Sequence, residues 1–337
     1  MSYDLKTHAQ KFAPNYGEHD FSDHLPMAVT ALNKLGATEQ RVDEFVKTYA
    51  KKLKRKKPGA KSLDGLLLSA RIGDPTVYPL AYNYFSEAIA NEGRVEVLAT
   101  YLPELTNAIA TAAFHGILRT TFGLIANEDS EIAAGLAYWW ANAEPVSFSM
   151  SIGAANNDVE TLIDDVADSF KRHGKKLNLD HPTISARIAE VFASARIGSV
   201  LNRAAAANVS FDKIAATALR IYLSTGDFTA LHCVTGVHAT RILSEHVVMN
   251  DVDLRKALWG AICAAYASIG APPLISLTPA PVKPPDWRVI TSAALSSDDE
   301  HDIKFAYSCM EEARQYGRDA HYRYAASVRL GLAESPA

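Results

Sequence analysis

Cysteine is scarce in this chain, long apolar runs are missing, and neither sign of charge dominates; each shortage removes a class of protein. Only Cys233, Cys263 and Cys309 occur among 337 residues, an odd number with no CxxC spacing. That pattern argues against a disulfide framework and a zinc–thiolate site, and it suits a reducing compartment. No run of 18 or more apolar residues is present, and Met1-Ser2-Tyr3-Asp4-Leu5-Lys6 shows no basic-then-apolar leader pattern. No membrane span is expected, and the expected address is the cytoplasm. The formal net charge is −4, so nothing favours nucleic acid as a partner. The one basic cluster, Lys51 to Lys57, lacks interleaved aromatics and ends at Pro58-Gly59; it reads as a solvated helix end or loop.

Signatures of phosphate and acyl chemistry are missing too. The chain has no G-x-x-x-x-G-K-[ST], no G-x-G-x-x-G behind a strand and no G-x-S-x-G; the Ser151-Ile152-Gly153-Ala154 stretch is too short to carry meaning. A nucleotide-cradling helix start and a nucleophile elbow are therefore unsupported.

What is present is helical patterning over ample core material. The segment Leu105 to Leu118 holds no charge and is rich in alanine, and it reads as one buried helix too short to span a bilayer. A second helix is expected from Asp180-His181-Pro182-Thr183, with Ile184, Ile188, Val191, Phe192 and Ala195 at helical spacing. A third opens at Ser224-Thr225-Gly226-Asp227 and runs through Leu231, Val234, His238 and Ile242. A fourth starts at Ser297, where Ser297 and Glu300 match the S-x-x-E capping box, and it stops near Gly317. Strand alternation is scarce; Val146 to Met150 is ambiguous. Between Ala271 and Trp287 stand Pro272, Pro273, Pro279, Pro281, Pro284 and Pro285, which predicts an irregular loop crossing the surface near 271–287. The expected fold is all-α, a single large helical domain over 1–337.

The histidines divide by surroundings. His8, His19, His173, His181 and His321 lie among polar residues and read as solvated; His24, His115, His232 and His238 lie in apolar stretches. A buried imidazole needs partners for its nitrogens, and a metal ion is among the strongest. His232 and His238 are six residues apart, which leaves their side chains about 120° apart on an ideal helix. They converge on one ion only if it lies beside the helix at long reach or if Gly236 distorts the helix. Lys304, between Ile303 and Phe305, reads either as a snorkelling lysine or as a desolvated one. A desolvated lysine has a neutral amine that can take up carbon dioxide as a carbamate, an anionic oxygen ligand. His301, three residues earlier on the same face, is placed to orient it.

Four phrases, in order, resemble the questin oxidase-like family. They are Asp23-His24-Leu25-Pro26, Phe114-His115-Gly116-Ile117-Leu118-Arg119, Leu231-His232 through His238-Ala239, and Asp299-Glu300-His301-Asp302-Ile303-Lys304. The resemblance runs from about residue 15 to 325. The family includes fungal enzymes that oxidatively open anthraquinone and related polyketide rings in Baeyer–Villiger-like steps. The resemblance implies a helical fold and a mononuclear non-haem iron held by four histidines and a carboxylated lysine. Carried over, those ligands fall on His24, His115, His232, His238 and Lys304, with His301, Arg119 and Thr235 around them. Such a set suits Fe(II) and leaves one position open for dioxygen. The implied partners are dioxygen and a small aromatic substrate. The NADPH donor associated with the family has no binding fingerprint here, and the chain is shorter than many fungal relatives, which implies a trimmed pocket. Two other readings stay open. One is an HD-type metal-dependent hydrolase, suggested by His19-Asp20 and His301-Asp302; the other is a non-catalytic helical protein that binds a small molecule.

Overall fold

The computed structural model describes residues 3–56, 65–144, 158–247, 251–278 and 283–334. Among them the chain forms seventeen α-helices and a single two-stranded antiparallel sheet, Asn15–Tyr16 against Phe21–Ser22. The fold is predominantly all-α, as the patterning predicts. No helix among the described residues is long and apolar enough to cross a membrane. The ambiguous Val146–Met150 stretch, Ser151–Ala154, the cluster's end at Lys57–Gly59, and Pro279 and Pro281 lie outside the described residues.

Four helices matter most. Leu25–Lys34 packs on His115–Ala126, that helix on Phe228–His246, that one on Glu300–Tyr316, and the last returns to Leu25–Lys34. This closed circuit forms because each helix is apolar over most of its surface: Leu25 to Leu32 are all buried, as are His115 to Leu124 and Thr229 to Arg241. Burying such surfaces on several sides is the main driving force available to a helical chain. Small residues let the backbones approach. A Cβ on Gly116 would meet the Trp139 indole at 2.5 Å, which fixes the close packing of His115–Ala126 against Asp129–Asn142.

Local sequence explains the helix ends. Gly226, at φ 60°, terminates the helix Phe211–Thr225 in the left-handed region glycine tolerates. Asp227 then caps Phe228–His246, its carboxylate accepting from the Thr229 amide at 2.6 Å. Thr183 caps Ile184–Ala193, and the apolar periodicity that runs on to Ala195 is broken at Ser194, which caps a new helix, Ala195–Ala205.

Two expectations need correction. The S-x-x-E capping box at Ser297 does not form: the helix begins at Glu300, and its cap is Asp299, which accepts from the His301 amide at 2.7 Å. Ser297 instead donates to Asp302 at 2.7 Å. The charge-free run Leu105 to Leu118 is not one helix either. Arg94–Leu105 ends there, a 3-10 turn covers Thr106–Ala108, and Ala112, Ala113 and Phe114 adopt φ of 50°, 55° and 67° before His115 starts the next helix. Three left-handed non-glycine residues in succession cost about 1–2 kcal/mol each. Tertiary packing holds them. Phe114 is fully buried, and its ring lies where a Cβ on Gly236 would be 3.0 Å away. Trp139 donates to the Ala108 carbonyl at 2.9 Å, and the Ala113 amide donates to Ser185 at 3.0 Å.

The described part of the proline-rich segment is irregular, as expected. Arg220 donates to the Ile275 carbonyl at 2.9 Å and Arg323 to that of Pro284 at 3.0 Å, which ties it down until Trp287 begins a helix.

Candidate metal centre

Each helix of the circuit delivers one histidine from its N-terminal end. His24 is the N-cap of Leu25–Lys34, and His115 is the first residue of its helix. His232 lies in the first turns of Phe228–His246, and His301 is the second residue of Glu300–Tyr316. Pro26, suited to a first helical turn, starts the helix directly behind His24. One ring nitrogen from each of the four lies within 4.8 Å of the others, and all four side chains are buried. The imidazoles follow one another in the order of the helices. Centroids of His24 and His115 are 4.5 Å apart, His115 and His232 5.1 Å, His232 and His301 5.4 Å, and His301 and His24 4.6 Å.

Hydrogen bonds decide the tautomers. His24 Nδ1 faces the Ser22 carbonyl, His115 Nδ1 that of Ala112, and His232 Nδ1 that of Phe228 at 2.8 Å. A carbonyl only accepts, so each Nδ1 carries the proton and each neutral ring keeps a bare lone pair on Nε2. His301 Nδ1 is 3.3 Å from an Asp299 carboxylate oxygen, which holds its proton in the same way. The consequence is sharpest between His24 and His115, whose Nε2 atoms stand 2.7 Å apart. Two lone pairs at that distance repel unless a cation lies with them. The left-handed turn before His115 is what brings the Ala112 carbonyl under its Nδ1.

Protonation is a poor source of that cation. Burial pushes His24, His115 and His232 well below the ordinary imidazole range, and the Lys304 ammonium lowers all three further. Burial also lowers His301, against the Asp299 carboxylate that raises it. The converging helix N-termini add positive potential, which likewise disfavours imidazolium. Neutral imidazoles with one ring nitrogen each within 4.8 Å of the others and Nδ1 protons anchored to carbonyl or carboxylate oxygens are a donor set that could hold a metal ion. The residues present therefore fit a divalent transition metal.

Lys304 lies one turn after His301 and is 3% exposed. Among the described residues its amine has no hydrogen bond and no carboxylate within ion-pair distance. Burial pushes it down to about 7, opposed by the more distant Glu300 and Asp299. A lysine so placed is desolvated over nearly its whole length.

Other predicted positions lie elsewhere. His238 is fully buried but outside the quartet: its Nδ1 is 3.0 Å from Ser308 Oγ, its Nε2 has no partner among the described residues, and Tyr307 and Phe122 pack around it. The 120° offset from His232 explains this, because Phe228–His246 runs as one continuous α-helix and Gly236 only makes room for Phe114. Arg119 is committed to Glu131, Nε to Oε2 at 3.1 Å, in a buried pair. Thr235 returns its hydroxyl to its own helix, to the Leu231 and His232 carbonyls. His301, expected only to orient Lys304, stands in the quartet itself. Its spacing from Lys304 was readable in the sequence; its distance from His24 was not.

Two histidines expected to be solvated are buried. His8 is 1% exposed, with Nε2 2.6 Å from Asp23 and Nδ1 2.7 Å from the Tyr3 hydroxyl. This array lies behind His24, and Asp23 also accepts from the Leu25 amide at 3.0 Å. His321 is 8% exposed in the helix Asp319–Arg329. Neighbouring polar letters in the sequence misled in both cases, because they point to other faces.

The quartet opens on a cavity of about 790 Å³ whose wall includes all four histidines. Phe21, Phe228 and Tyr16 line it as well, with Phe21 and Phe228 standing out as exposed apolar side chains. The Phe228 ring lies 4.7 Å from those of both His232 and His301. Such a volume and lining suit a small organic molecule.

Fold and site together define a helical protein with a buried four-histidine centre facing a ligand-sized cavity. The questin oxidase-like family profile matches residues 21–309, a span holding the quartet and Lys304, and the chain belongs to that family. Its membership supports an oxidase kind of function. No curated protein matched the chain.

Proposed function

We propose that the protein is an iron(II)-dependent oxygenase that oxidises or ring-opens an aromatic, polyketide-like small molecule in a Baeyer–Villiger-like reaction. His24, His115, His232 and His301 would hold the metal, and Lys304, as its carbamate, would supply an anionic oxygen. His301 thus takes the fourth histidine position, and His238 is left to packing. The observation that carries the reading is the pair of bare Nε2 atoms of His24 and His115 at 2.7 Å. Bound there, iron would supply the one-electron chemistry that allows dioxygen to react with a closed-shell organic molecule.

The chain's own residues supply the rest. The carbonyls of Ser22, Ala112 and Phe228 hold protons at Nδ1 and keep Nε2 free. Phe21 and Phe228 offer flat apolar faces to an aromatic ring. The buried walls exclude water from the reacting centre. The neutral Lys304 amine attacks carbon dioxide, forming an N–C bond and releasing one proton; the carbamate replaces a desolvated amine with a group a cation can neutralise.

The hydrolase reading finds little here. Asp20 is exposed beside Lys54 on the cavity wall, and Asp302 accepts from Arg329 at 2.6 Å, so neither HD pair places a carboxylate among the clustered histidine nitrogens. Phosphate-ester turnover without dioxygen would favour that reading.

The test is elemental analysis of purified protein with oxygen-uptake measurements. About one iron per chain is expected, and Lys304→Met should lower iron occupancy at least tenfold with helicity unchanged, in line with the ~10–100-fold cost of losing metal-supporting groups. Protein that carries no stoichiometric metal and takes up no iron would sink the proposal.

A further inference from the structure

The cavity in front of the quartet contains a cation whose charge the fold does not use. Arg187, on Ile184–Ala193, lines it together with His232, Phe228 and the other histidines. Its Nη1 donates to the His181 carbonyl at 3.0 Å and its Nη2 to Thr229 Oγ1 at 3.1 Å. Both acceptors are neutral. Every other arginine that is at least half-buried has a carboxylate partner: Arg41, Arg71, Arg94, Arg119, Arg220, Arg241, Arg255, Arg318, Arg323 and Arg329 all do. Among the described residues Arg187 alone breaks that pattern. A guanidinium has five N–H donors and does not lose its proton, so part of its fork and its whole charge are left for something else.

Its position says what. Thr229 follows Phe228, so Arg187 is bonded to the turn that carries the aromatic wall and, one turn later, His232. Asp20 and Glu144 also line the cavity, and neither pairs with Arg187. They repel an anion from their own stretch of wall and leave the Arg187 end as the place for it. We infer that this cavity selects a planar aromatic molecule bearing an ionised oxygen acid, a carboxylate or phenolate, which Arg187 grips by a charge-assisted, bidentate contact while Phe228 lies against the ring. This deepens the oxygenase reading by fixing the charge and orientation of its substrate, and it rests on that reading for the claim that the cavity is a substrate site.

The test is calorimetric binding of 2-naphthoate and of its neutral isostere 2-naphthamide, on chelator-treated and on iron-loaded protein. Wild type is expected to prefer the naphthoate by about tenfold or more in both forms, the scale of one charge-assisted contact. Arg187→Gln should remove the preference while leaving naphthamide binding and iron content unchanged. Arg187→Lys, which keeps the charge and loses the fork, should retain a reduced preference and guards against a Gln variant that fails to fold. Equal binding of the two probes by wild type, no binding of either, or a preference that survives Arg187→Gln would each overturn the inference. The two proposals fail separately: an Arg187-dependent preference in protein that takes up no iron removes only the oxygenase, whereas iron-loaded protein without the preference removes only the anion site.

Discussion

His232 and His238 lie on the same helix, both in apolar sequence and both buried, yet their surroundings differ in every respect that matters for chemistry. His232 has its Nδ1 proton fixed by the Phe228 carbonyl and its ring set between those of His115 and His301. His238 has one hydroxyl partner, Ser308, an Nε2 without a partner among the described residues, and aromatic neighbours in Phe122 and Tyr307. Burial is the main cause that lowers both imidazoles, His238 to about 3 with a further push from the Arg241 guanidinium. What separates them is convergence. Four helix N-termini bring one ring nitrogen each within 4.8 Å of one another, and His238 sits further along its helix, outside that group. A buried histidine is therefore a poor marker of a metal site by itself; a buried histidine whose Nδ1 is bonded to a carbonyl and whose Nε2 faces another bare nitrogen is a good one.

Substitution at the two positions breaks or sharpens this contrast most strongly. His115→Ala removes a member of the closest pair and is expected to cut iron affinity by more than the ~10–100-fold that loss of an outer partner costs. His238→Ala should leave iron content at the wild-type level. Metal analysis, paired with circular dichroism to confirm folding, reads both, and loss of metal from a folded His238→Ala protein would undo the distinction.

Acidification comes next. The folded-state values of the quartet and of His238 lie below the unfolded imidazole value of about 6.5. Below that pH the unfolded chain binds more protons than the folded one, so stability is present above it and is lost as pH falls, each group contributing up to about 1.4 kcal/mol per pH unit. Melting temperatures of metal-free protein should change little between pH 7.5 and 6.5 and fall from there to pH 5. His238→Leu should flatten that slope by one group's share, and a melting temperature that stays level would contradict the assignment of neutral buried imidazoles.

The smallest effect concerns the turn that sets His115. Ala113→Gly relieves a left-handed alanine at φ 55° and forfeits only a buried methyl. A gain of about 0.5–1 kcal/mol in denaturant unfolding is expected. A loss of stability there would show that the turn is not strained.

Much of this was legible in the residues. The helix starts near Thr183 and Asp227, the stop at Gly317 and the irregular proline-rich segment all follow from local chemistry that acts within a turn or two. His24, His115 and His232 stood out because a polar ring in an apolar stretch demands a partner. The break after Leu105 was not legible, since alanines in the left-handed region carry no glycine or proline to mark them; Phe114 seated against Gly236 imposes the turn from more than a hundred residues away. The Ser297 cap failed for a related reason, with Asp299 closer to the helix start and Asp302 taking the serine hydroxyl.

By itself, then, the order of residues determined the helical class, several helix starts and stops and three of the four clustered histidines, because those depend on periodicity and local hydrogen bonding. Only the tertiary structure decided that His301 joins them and His238 does not, that Lys304 is buried, and that Arg187 faces the cavity with no carboxylate partner among the described residues. Those facts depend on which helix ends meet, and side chains on four separate helices are brought within 5 Å of one another by packing that no single segment encodes.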